Sequence, residues 1–339
     1  WLSVADGLVN ASGASGVRFE GISFLYSRGV ALSFADSSEV AVANCTVRGH
    51  VGGVLLQNVS RPTVADSEVT ELGCAGVSLH GSGDTLTLSR GYANISGNDV
   101  HDYGLYKRTY QPGVEARACA GCVLDANLFR DGPHFGVHSG SYGASRTVLS
   151  SFTRNTFSRL LQETGDSGAI YSGRSWTDRG NVIAHNTFAD VHNTGPPIPL
   201  QAENTHAIHF DDEMSGWTVV HNRIERCHAG IRLGGGRDTR IEANAFVNTT
   251  FGVHFDHRGL SPNRQPQCNI TAYPSAKLPL DVRDVLAHGV GWAQRFPELA
   301  ATETNHPCVP VDDHIAGNEY CGLGAASLVD DGHNRTVTP

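Results

Sequence analysis

A short motif of glycine, an apolar residue, any residue and a second apolar residue recurs nine times between residues 29 and 255. Successive copies start 22 to 39 residues apart, which indicates a unit with loops of varying length inserted. Apolar residues at every second position predict short strands with one buried face. Because such small units cannot bury that face alone, they must stack, and the chain is predicted to be an all-β, right-handed parallel β-helix. The copies begin at Gly29, Gly53, Gly76, Gly104, Gly136, Gly168, Ala207, Gly230 and Gly252.

A second pattern lies half a coil away, where apolar triplets recur next to an asparagine. Asparagine tolerates the left-handed backbone of a tight turn, and its amide can bond to stacked neighbours. We therefore predict a structural asparagine ladder and assign no chemistry to it. Its expected members are Asn44, Asn98, Asn127, Asn155, Asn186, Asn222 and Asn244.

The repeats predict two regions along the chain. Residues 1–260 are expected to form the coils, with long and function-bearing connections after about residue 100. Residues 261–339 are expected to form a loop-rich, partly helical segment that caps or flanks the helix. A helical stretch is predicted over about 279–301, followed by a final coil near 314–318.

Composition excludes several classes of partner. The net charge is −9 and the basic residues form no cluster, which argues against nucleic acid and anionic membranes. No apolar stretch approaches the roughly 18 residues that a membrane helix needs. We expect no cofactor. Because the sequence begins at Trp1, we also expect that a leader or an upstream region precedes it in the gene product.

Cysteines and glycosylation motifs predict a secreted, extracellular glycoprotein. The eight cysteines are Cys45, Cys74, Cys119, Cys122, Cys227, Cys268, Cys308 and Cys321. Cys119 and Cys122 have the spacing of half a zinc or redox site, but no second half is present, so a local disulfide is predicted instead. The glycosylation sequons are at Asn10, Asn44, Asn58, Asn94, Asn248, Asn269 and Asn334.

The positions of the motif that point to solvent form columns across the coils. The third motif position, the position two before the glycine and the position four after it are expected to line one face. In the first three coils these columns are mainly small or apolar, whereas later coils carry titratable residues. The later members are Asp102, Tyr106, Arg108, His134, His138, Asp166, His209, Asp211, His228, Arg232, His254 and Asp256.

Carboxylates beside histidine and arginine in a groove favour glycosidic bond cleavage. One carboxylic acid protonates the leaving oxygen while a second carboxylate acts as base or nucleophile. A merely solvated sheet face is the plain alternative. Zinc is a further alternative use of clustered histidines, but residues in rows do not converge as three or four ligands must, so no metal is assigned.

Three segments resemble glycoside hydrolase family 141 and its relatives, over roughly residues 120–320. They are Glu163 to Trp176, Ala207 to Trp217, and Gln294 to Leu299 with the following Cys308 and Asn318 regions. The resemblance implies a right-handed β-helix enzyme that acts on plant- or algal-type polysaccharide, as an α-L-fucosidase or xylanase. It also implies a catalytic pair of Asp166 with Asp211 or Asp212.

The substrate contacts that we expect along this face are His134, His138, Tyr171, Arg174, Trp176, His209, Arg232, His254 and Asp256. The chain departs from the family at His209, where an aromatic residue is common, and at Ser175, where an acidic residue is common. The first departure bears on substrate preference. The second removes a carboxylate.

The strand pattern puts a condition on the implied pair. On a straight strand, Asp166 and Asp211 would be six residues apart, about 20 Å, whereas the carboxyls of glycosidases lie about 5 to 9.5 Å apart. The chain must therefore bend near Gly168, or another pair acts, such as Asp211 with Asp256 or Asp102 with Asp166. A polysaccharide lyase and a non-catalytic glycan-binding module remain alternative functions.

Overall fold

The protein is a right-handed parallel β-helix of three parallel sheets, as the repeat predicts. The computed structural model describes residues 4–140, 143–195, 204–322 and 326–330. Each coil contributes one strand to each sheet, and every strand pairs with its equivalent in the next coil. The sequon Asn334 lies outside the described residues.

Sheet 1 carries the strands that the tetrapeptide predicts. Its strands are Val9–Ser12, Val30–Ala35, Gly52–Gln57, Val77–Asp84, Val114–Ala120, Val137–Ser139, Ser167–Gly173, Thr205–Asp211, Ala229–Gly234, Phe251–Asp256 and Ala326–Asp330. Two short strands join its edge. They are Ser89–Arg90, antiparallel to Val77–Asp84, and Thr147–Val148, parallel to Val114–Ala120.

Sheets 2 and 3 form the other two faces. Sheet 2 contains Arg18–Glu20, Ala41–Ala43, Thr63–Ala65, Asn94–Ser96, Val123–Asp125, Ser151–Thr153, Asn181–Ala184, Trp217–Val220, Arg240–Glu242 and His314–Ala316. Sheet 3 contains Ser23–Leu25, Thr46–Arg48, Glu68–Thr70, Asp99–His101, Leu128–Gly132, Thr156–Leu160, Thr187–Ala189, Arg223–Glu225, Ala245–Val247 and Glu319–Cys321. The final coil at 314–321 agrees with the predicted one.

The core consists of inward side chains stacked from coil to coil. On sheet 3, Phe129, Phe157 and Phe188 pair in register, and their rings stack with centroids 5.0 and 4.7 Å apart. Each is fully buried. Burying a phenylalanine stabilises a fold by about 1.5 to 3 kcal/mol, so repeated stacks hold a small coil in place.

The asparagine ladder forms at the turn between sheets 2 and 3. The Asn127 amide donates to Asn155 Oδ1 at 2.9 Å, and Asn155 donates to Asn186 Oδ1 at 3.0 Å. The same bonds run from Asn98 through Asn222 and Asn244 to Asn318. Asn44 is not a member, which corrects the prediction. It is exposed, and Cys45 and Ser67 occupy the ladder positions instead.

Three of the nine motif copies were assigned the wrong register. Residues 104–107 form a loop, and the strand of that coil is Val114–Ala120. Val54 pairs with Leu32, which makes Ala31 the counterpart of Gly53 and Ser33 the outward residue. Tyr171 pairs with His138 and His209, which makes Ala169 the equivalent of the motif glycine. Inserted residues before each strand hid the true start of the motif.

The C-terminal segment packs along the side of the β-helix. It contains the α-helices Gln265–Cys268, Lys277–His288 and Trp292–Arg295, with the 3₁₀ turns Arg258–Leu260 and Pro297–Ala301; a further 3₁₀ turn, Gly143–Ser145, belongs to the coils. Trp292 donates its indole N–H to the Leu86 carbonyl at 2.9 Å. The apolar side of this segment covers Val148 and Trp176. It therefore forms one wall beside sheet 1.

The cysteine prediction is partly wrong. Cys119 and Cys122 are free thiols in the buried core, and the disulfide joins Cys268 to Cys308 within the C-terminal segment. Spacing alone could not reveal this, because the partners are 40 residues apart. Among the described sequons, four asparagines are exposed and Asn94 and Asn269 are half-buried, and glycosylation stays a prediction. The exposed ones are Asn10, Asn44, Asn58 and Asn248.

Candidate active site

Two rows of outward residues run across the coils of sheet 1. The central row, set by the strand register, is Ser33, Leu55, Ser78, Glu115, His138, Tyr171, His209, Arg232 and His254. The second row lies two residues further along each strand and includes His80, Arg117, Gly173, Asp211 and Asp256. The titratable residues are concentrated in the later coils, as the sequence predicts.

Asp211 is the best-connected carboxylate of this face. It accepts a hydrogen bond of 2.7 Å from the Tyr171 hydroxyl, and His209 Nε2 lies 3.5 Å from its Oδ1. Burial alone would raise the pKa of Asp211, but the contacts of His209, Arg258 and Tyr171 outweigh burial and hold that pKa well below its usual range. Asp211 is therefore ionised at neutral pH. Its side chain is only 9% exposed, so its carboxylate is largely buried among these partners.

Arg258 links Asp211 to a second carboxylate, Asp256. Its guanidinium contacts Asp211 Oδ1 and bonds both oxygens of Asp256, at 2.9 Å from Nε and 2.8 Å from Nη2. Gly234 pairs with Asp256 in the intervening strand. A Cβ atom at Gly234 would lie 2.8 Å from Arg258 Cζ, so a larger residue there would displace the guanidinium from its present position.

Asp256 has two arginine partners. Arg232 Nη2 lies 2.8 Å from Asp256 Oδ2, while Arg232 Nη1 donates to the Asn204 side chain at 2.7 Å. Burial alone would raise the pKa of Asp256, and the charges and hydrogen bonds of Arg258, followed by the charge of Arg232, lower it instead. Asp256 is therefore a second ionised carboxylate, and Arg232 is a positioning residue for it.

Asp212 and Glu213 follow Asp211 in consecutive left-handed conformations, with φ of 43° and 67°. Such geometry costs about 1 to 2 kcal/mol per residue. Asp212 is buried and pairs with Arg174 at 2.6 Å and Arg264 at 2.8 Å. Asp212 is therefore a buried ion-pair partner of arginines, and its catalytic role stays a prediction.

Glu213 differs from Asp211 and Asp256 because its pKa is raised and not lowered. Neither of its carboxyl oxygens has a hydrogen-bond partner among the described residues. Burial, followed by the nearby charge of Asp212, raises the pKa of Glu213 to about 8. The turn around Gly259 covers it, since a Cβ there would lie 3.1 Å from Glu213 Oε1. Sequence reasoning did not select Glu213, because the pKa shift arises from a segment 46 residues away along the chain.

Glu115 is a second residue that sequence reasoning missed. It lies in the central row between Ser78 and His138 and contacts His80 Nε2 at 2.8 Å and Arg117 Nε at 2.9 Å. A signal was available, because Gly113 begins a Gly-Val-Glu-Ala tetrapeptide that fits the motif. The strand of this coil starts at Val114 and not after Gly104, so the predicted positions of Tyr106 and Arg108 in the rows are wrong.

The structure does not bring Asp166 to Asp211. Ser167–Gly173 is one continuous strand that passes through Gly168, so the expected bend is not there. Gly173 pairs with Asp211, seven residues beyond Asp166, which corresponds to about 23 Å along the strand. Asp166 lies at the opposite edge of sheet 1, near His134. The alternative partner Asp102 follows the sheet 3 strand Asp99–His101 and contacts His101.

The other predicted substrate contacts differ in how far they are exposed to solvent. Arg174 remains 40% exposed beside the groove, and His254 is half-buried at its end. Trp176 is buried against the C-terminal segment and is not available to substrate, which corrects that prediction. His209 is fully buried, and its Nε2 faces Asp211, so its role as a substrate contact stays a prediction.

Two further predicted contacts, His134 and His138, stay neutral. Burial is the main cause that lowers the pKa of His138 to about 4 and that of His134 to about 3. The described residues contain no group of three or more histidine, cysteine, aspartate or glutamate side chains that could hold a metal ion.

A comparison with known protein families agrees with the fold. A sequence profile described as "Right handed beta helix region" matches residues 4–90. No curated protein matches the sequence. A solved structure of an alginate lyase from Paenibacillus sp. str. FPU-7 is similar with a TM-score of 0.42 and 10% sequence identity, and the match covers 94% of this chain and 79% of that one. No helix in the described ranges is long and apolar enough to cross a membrane. The class that fold and profile define is a right-handed β-helix protein.

Proposed function

We propose that this protein is a glycoside hydrolase that cleaves a polysaccharide, with Asp211 and Asp256 as its carboxylate pair. The observation that carries the proposal is their shared position. They lie in one outward row, two coils apart, and both contact the Arg258 guanidinium. Strands two coils apart have about 10 Å between their backbones. The two side chains converge on Arg258, which brings their carboxyl groups closer, toward the separation of about 6.5 to 9.5 Å found in inverting glycosidases.

The pair assigns a role to each carboxylate. Asp211, kept ionised, takes a proton from the attacking water, while Asp256 gives a proton to the leaving oxygen as the glycosidic C–O bond breaks. Because Arg258 and Arg232 lower the pKa of Asp256 in the free protein, Asp256 gains this proton only when substrate displaces both guanidinium groups from it. Proton exchange with solvent then restores both groups.

The charge state of the groove favours hydrolysis over elimination. A lyase must neutralise the carboxylate of a uronate with a free cation. In the described part of the chain the arginines of this face are paired already: Arg117 with Glu115, Arg174 with Asp212, Arg232 and Arg258 with Asp256. A neutral sugar polymer fits this balance better than a polyuronate.

A polysaccharide lyase is the second candidate. Tyr171, His138 and His209 adjoin in the central row and offer groups for proton transfer. The resemblance to family 141 supports the hydrolase, since it also selects Asp211 or Asp212. Non-catalytic glycan binding is the third outcome that an experiment must separate.

Incubation with fucosylated, xylan, pectic and algal polysaccharides tests the proposal. We expect reducing ends to appear with the wild type and to fall at least 100-fold with Asp211→Asn and Asp256→Asn. Asp66→Asn, at an exposed aspartate of an early coil, is the matched control and should retain turnover. An unsaturated product with ultraviolet absorbance would identify a lyase instead. Unchanged hydrolysis in Asp211→Asn would refute the assignment.

We further propose that the protein is secreted and glycosylated. The exposed sequons Asn10, Asn44, Asn58 and Asn248 are accessible to modification. Expression in a eukaryotic secretory host should yield a band that shifts on treatment with an N-glycan-removing enzyme. A band that does not shift would contradict this.

A further inference from the structure

A cavity lies at the edge of sheet 1 opposite Asp211. It has a volume of about 270 Å³ and is lined by Thr109, Tyr110, His134, Glu163 and Asp166, among others. The loops 101–112 and 161–166 form its walls, and the start of the strand Ser167–Gly173 lies beneath it. Asp166 touches neither Asp211 nor Asp256 and is linked to Asp256 only through Asn204 and Arg232, so the cavity does not take part in the bond cleavage proposed above.

Tyr110 provides a fixed aromatic surface in this cavity. Its ring centroid lies 5.3 Å from that of His134 and 5.8 Å from that of Phe135, so one side of the ring is packed. The residue as a whole is still 63% exposed. A ring that is held in place loses little conformational entropy when a ligand packs on its free side. His134 beneath it is buried and neutral, because burial lowers its pKa to about 3.

Two oriented carboxylates lie at the rim. Glu163 is bonded by Arg108 through Nε at 2.8 Å and through Nη2, so its charge is balanced. Asp166 is exposed and accepts a hydrogen bond of 2.6 Å from the neutral amide of Asn204. A carboxylate that is held in this way can accept hydrogen bonds from sugar hydroxyls, and its charge repels an anionic sugar.

We infer that this cavity is a sugar-binding subsite for one neutral sugar unit, which stacks on Tyr110 and donates hydroxyl hydrogens to Asp166. The inference rests on the proposed function for the identity of the polymer, but binding here is independent of cleavage. Asn204 and Arg232 lie between Asp166 and Asp256, so a single sugar unit does not reach both places and only a longer or branched saccharide engages them together. The subsite therefore adds affinity and selects neutral polymers.

Affinity electrophoresis tests the subsite. The gels contain xyloglucan, arabinoxylan or galactomannan as neutral polymers, or polygalacturonate as an anionic one. The Asp211→Asn variant is the background, so the polymer stays intact. Tyr110→Ala and Asp166→Ala should weaken retardation by a neutral polymer at least fivefold. Tyr106→Ala is the matched control, because it changes an exposed tyrosine of the same loop that lies over Gly73, outside the cavity.

The outcomes separate the subsite from the hydrolase proposal. Equal retardation of Tyr110→Ala and the background would overturn the subsite, as would retardation by polygalacturonate alone or by none of the polymers. If Tyr110→Ala weakens binding while Asp211→Asn still hydrolyses the polymer, the subsite stands and the hydrolase assignment fails. Circular dichroism checks that each variant remains folded.

Discussion

Tyr171 donates its hydroxyl hydrogen to Asp211 across two neighbouring strands, with 2.7 Å between the oxygens. Tyr171 pairs with His209 in the register, so the bond reaches the residue two positions further along the next strand. Burial and the negative charge of Asp211 raise the pKa of Tyr171, which stays protonated as a donor. The bond orients one carboxylate oxygen and leaves the other to Arg258.

Replacing Tyr171 by phenylalanine should weaken the proposed catalytic carboxylate. A hydrogen bond to a charged group contributes about 1.5 to 3 kcal/mol, so we expect kcat to fall roughly 10- to 100-fold. Because the bond lowers the pKa of Asp211, its loss raises that pKa, and the acidic limb of the pH–rate profile should move to higher pH. The full pH–rate profile of both proteins measures this. A fall in rate with an unmoved acidic limb would contradict the role of the hydroxyl.

Replacing Gly234 by alanine should displace Arg258. The new Cβ would lie 2.8 Å from Cζ and 3.0 Å from Nε of that guanidinium. We expect a loss of about 1 to 3 kcal/mol in the free energy of unfolding, measured with urea, and at least a tenfold loss of turnover. Gly52→Ala is the control, since its Cβ would meet only a Val30 methyl at 3.3 Å and the Ala75 carbonyl oxygen at 3.8 Å. Equal effects of both substitutions would argue against a special role for Gly234.

Because the pKa of Glu213 is raised in the folded protein, we expect the protein to lose stability as the pH rises. Its folded pKa, about 8, lies above the usual value of 4.5, so the folded state binds more protons than the unfolded state between these values. The contribution of Glu213 to the free energy of unfolding should therefore decrease from about pH 4.5 to about pH 8. Each unit of pKa shift corresponds to about 1.4 kcal/mol, so the total is a few kcal/mol.

Glu213→Gln tests this dependence, because glutamine keeps the shape without the charge. We compare the free energies of unfolding of variant and wild type in urea at pH 5 and pH 8. The difference, variant minus wild type, should be more favourable to the variant at pH 8 than at pH 5. Glu298→Gln, at a largely solvent-exposed glutamate, is the control. A wild type and variant that differ equally at both pH values would show that Glu213 does not bind the extra proton.

Thiol titration distinguishes the observed cysteine pairing from the predicted one. Six cysteines are free, of which Cys321 is exposed and Cys45, Cys119, Cys122 and Cys227 are buried. Burial also raises the pKa of Cys227 to about 12, so its thiol is protonated. We expect Cys321 to react fast with a thiol reagent in the native protein, and six thiols to react after unfolding. Four reactive thiols after unfolding would indicate a second disulfide, such as one between Cys119 and Cys122.

Much of the fold could be predicted because it depends on local periodicity. Alternating apolar residues and turn asparagines repeat within each coil, and both follow from rules that act over a few residues. Register errors arose where the chain inserts residues before a strand, as at Gly104 and Gly168. There, several tetrapeptides compete, and pairing with the neighbouring coil decides between them.

The sequence by itself therefore determined the tetrapeptide coils, the asparagine ladder and the polar face of the later coils. Tertiary structure decided which carboxylates meet. Asp166 and Asp211 are separated by a straight strand, whereas Arg258 reaches back from the C-terminal side of the last motif strand to join Asp211 and Asp256. Such contacts, like the raised pKa of Glu213, depend on how distant segments fold over one another. No short-range pattern encodes them, since the arginine that joins Asp211 and much of the burial around Glu213 come from residues far away in sequence.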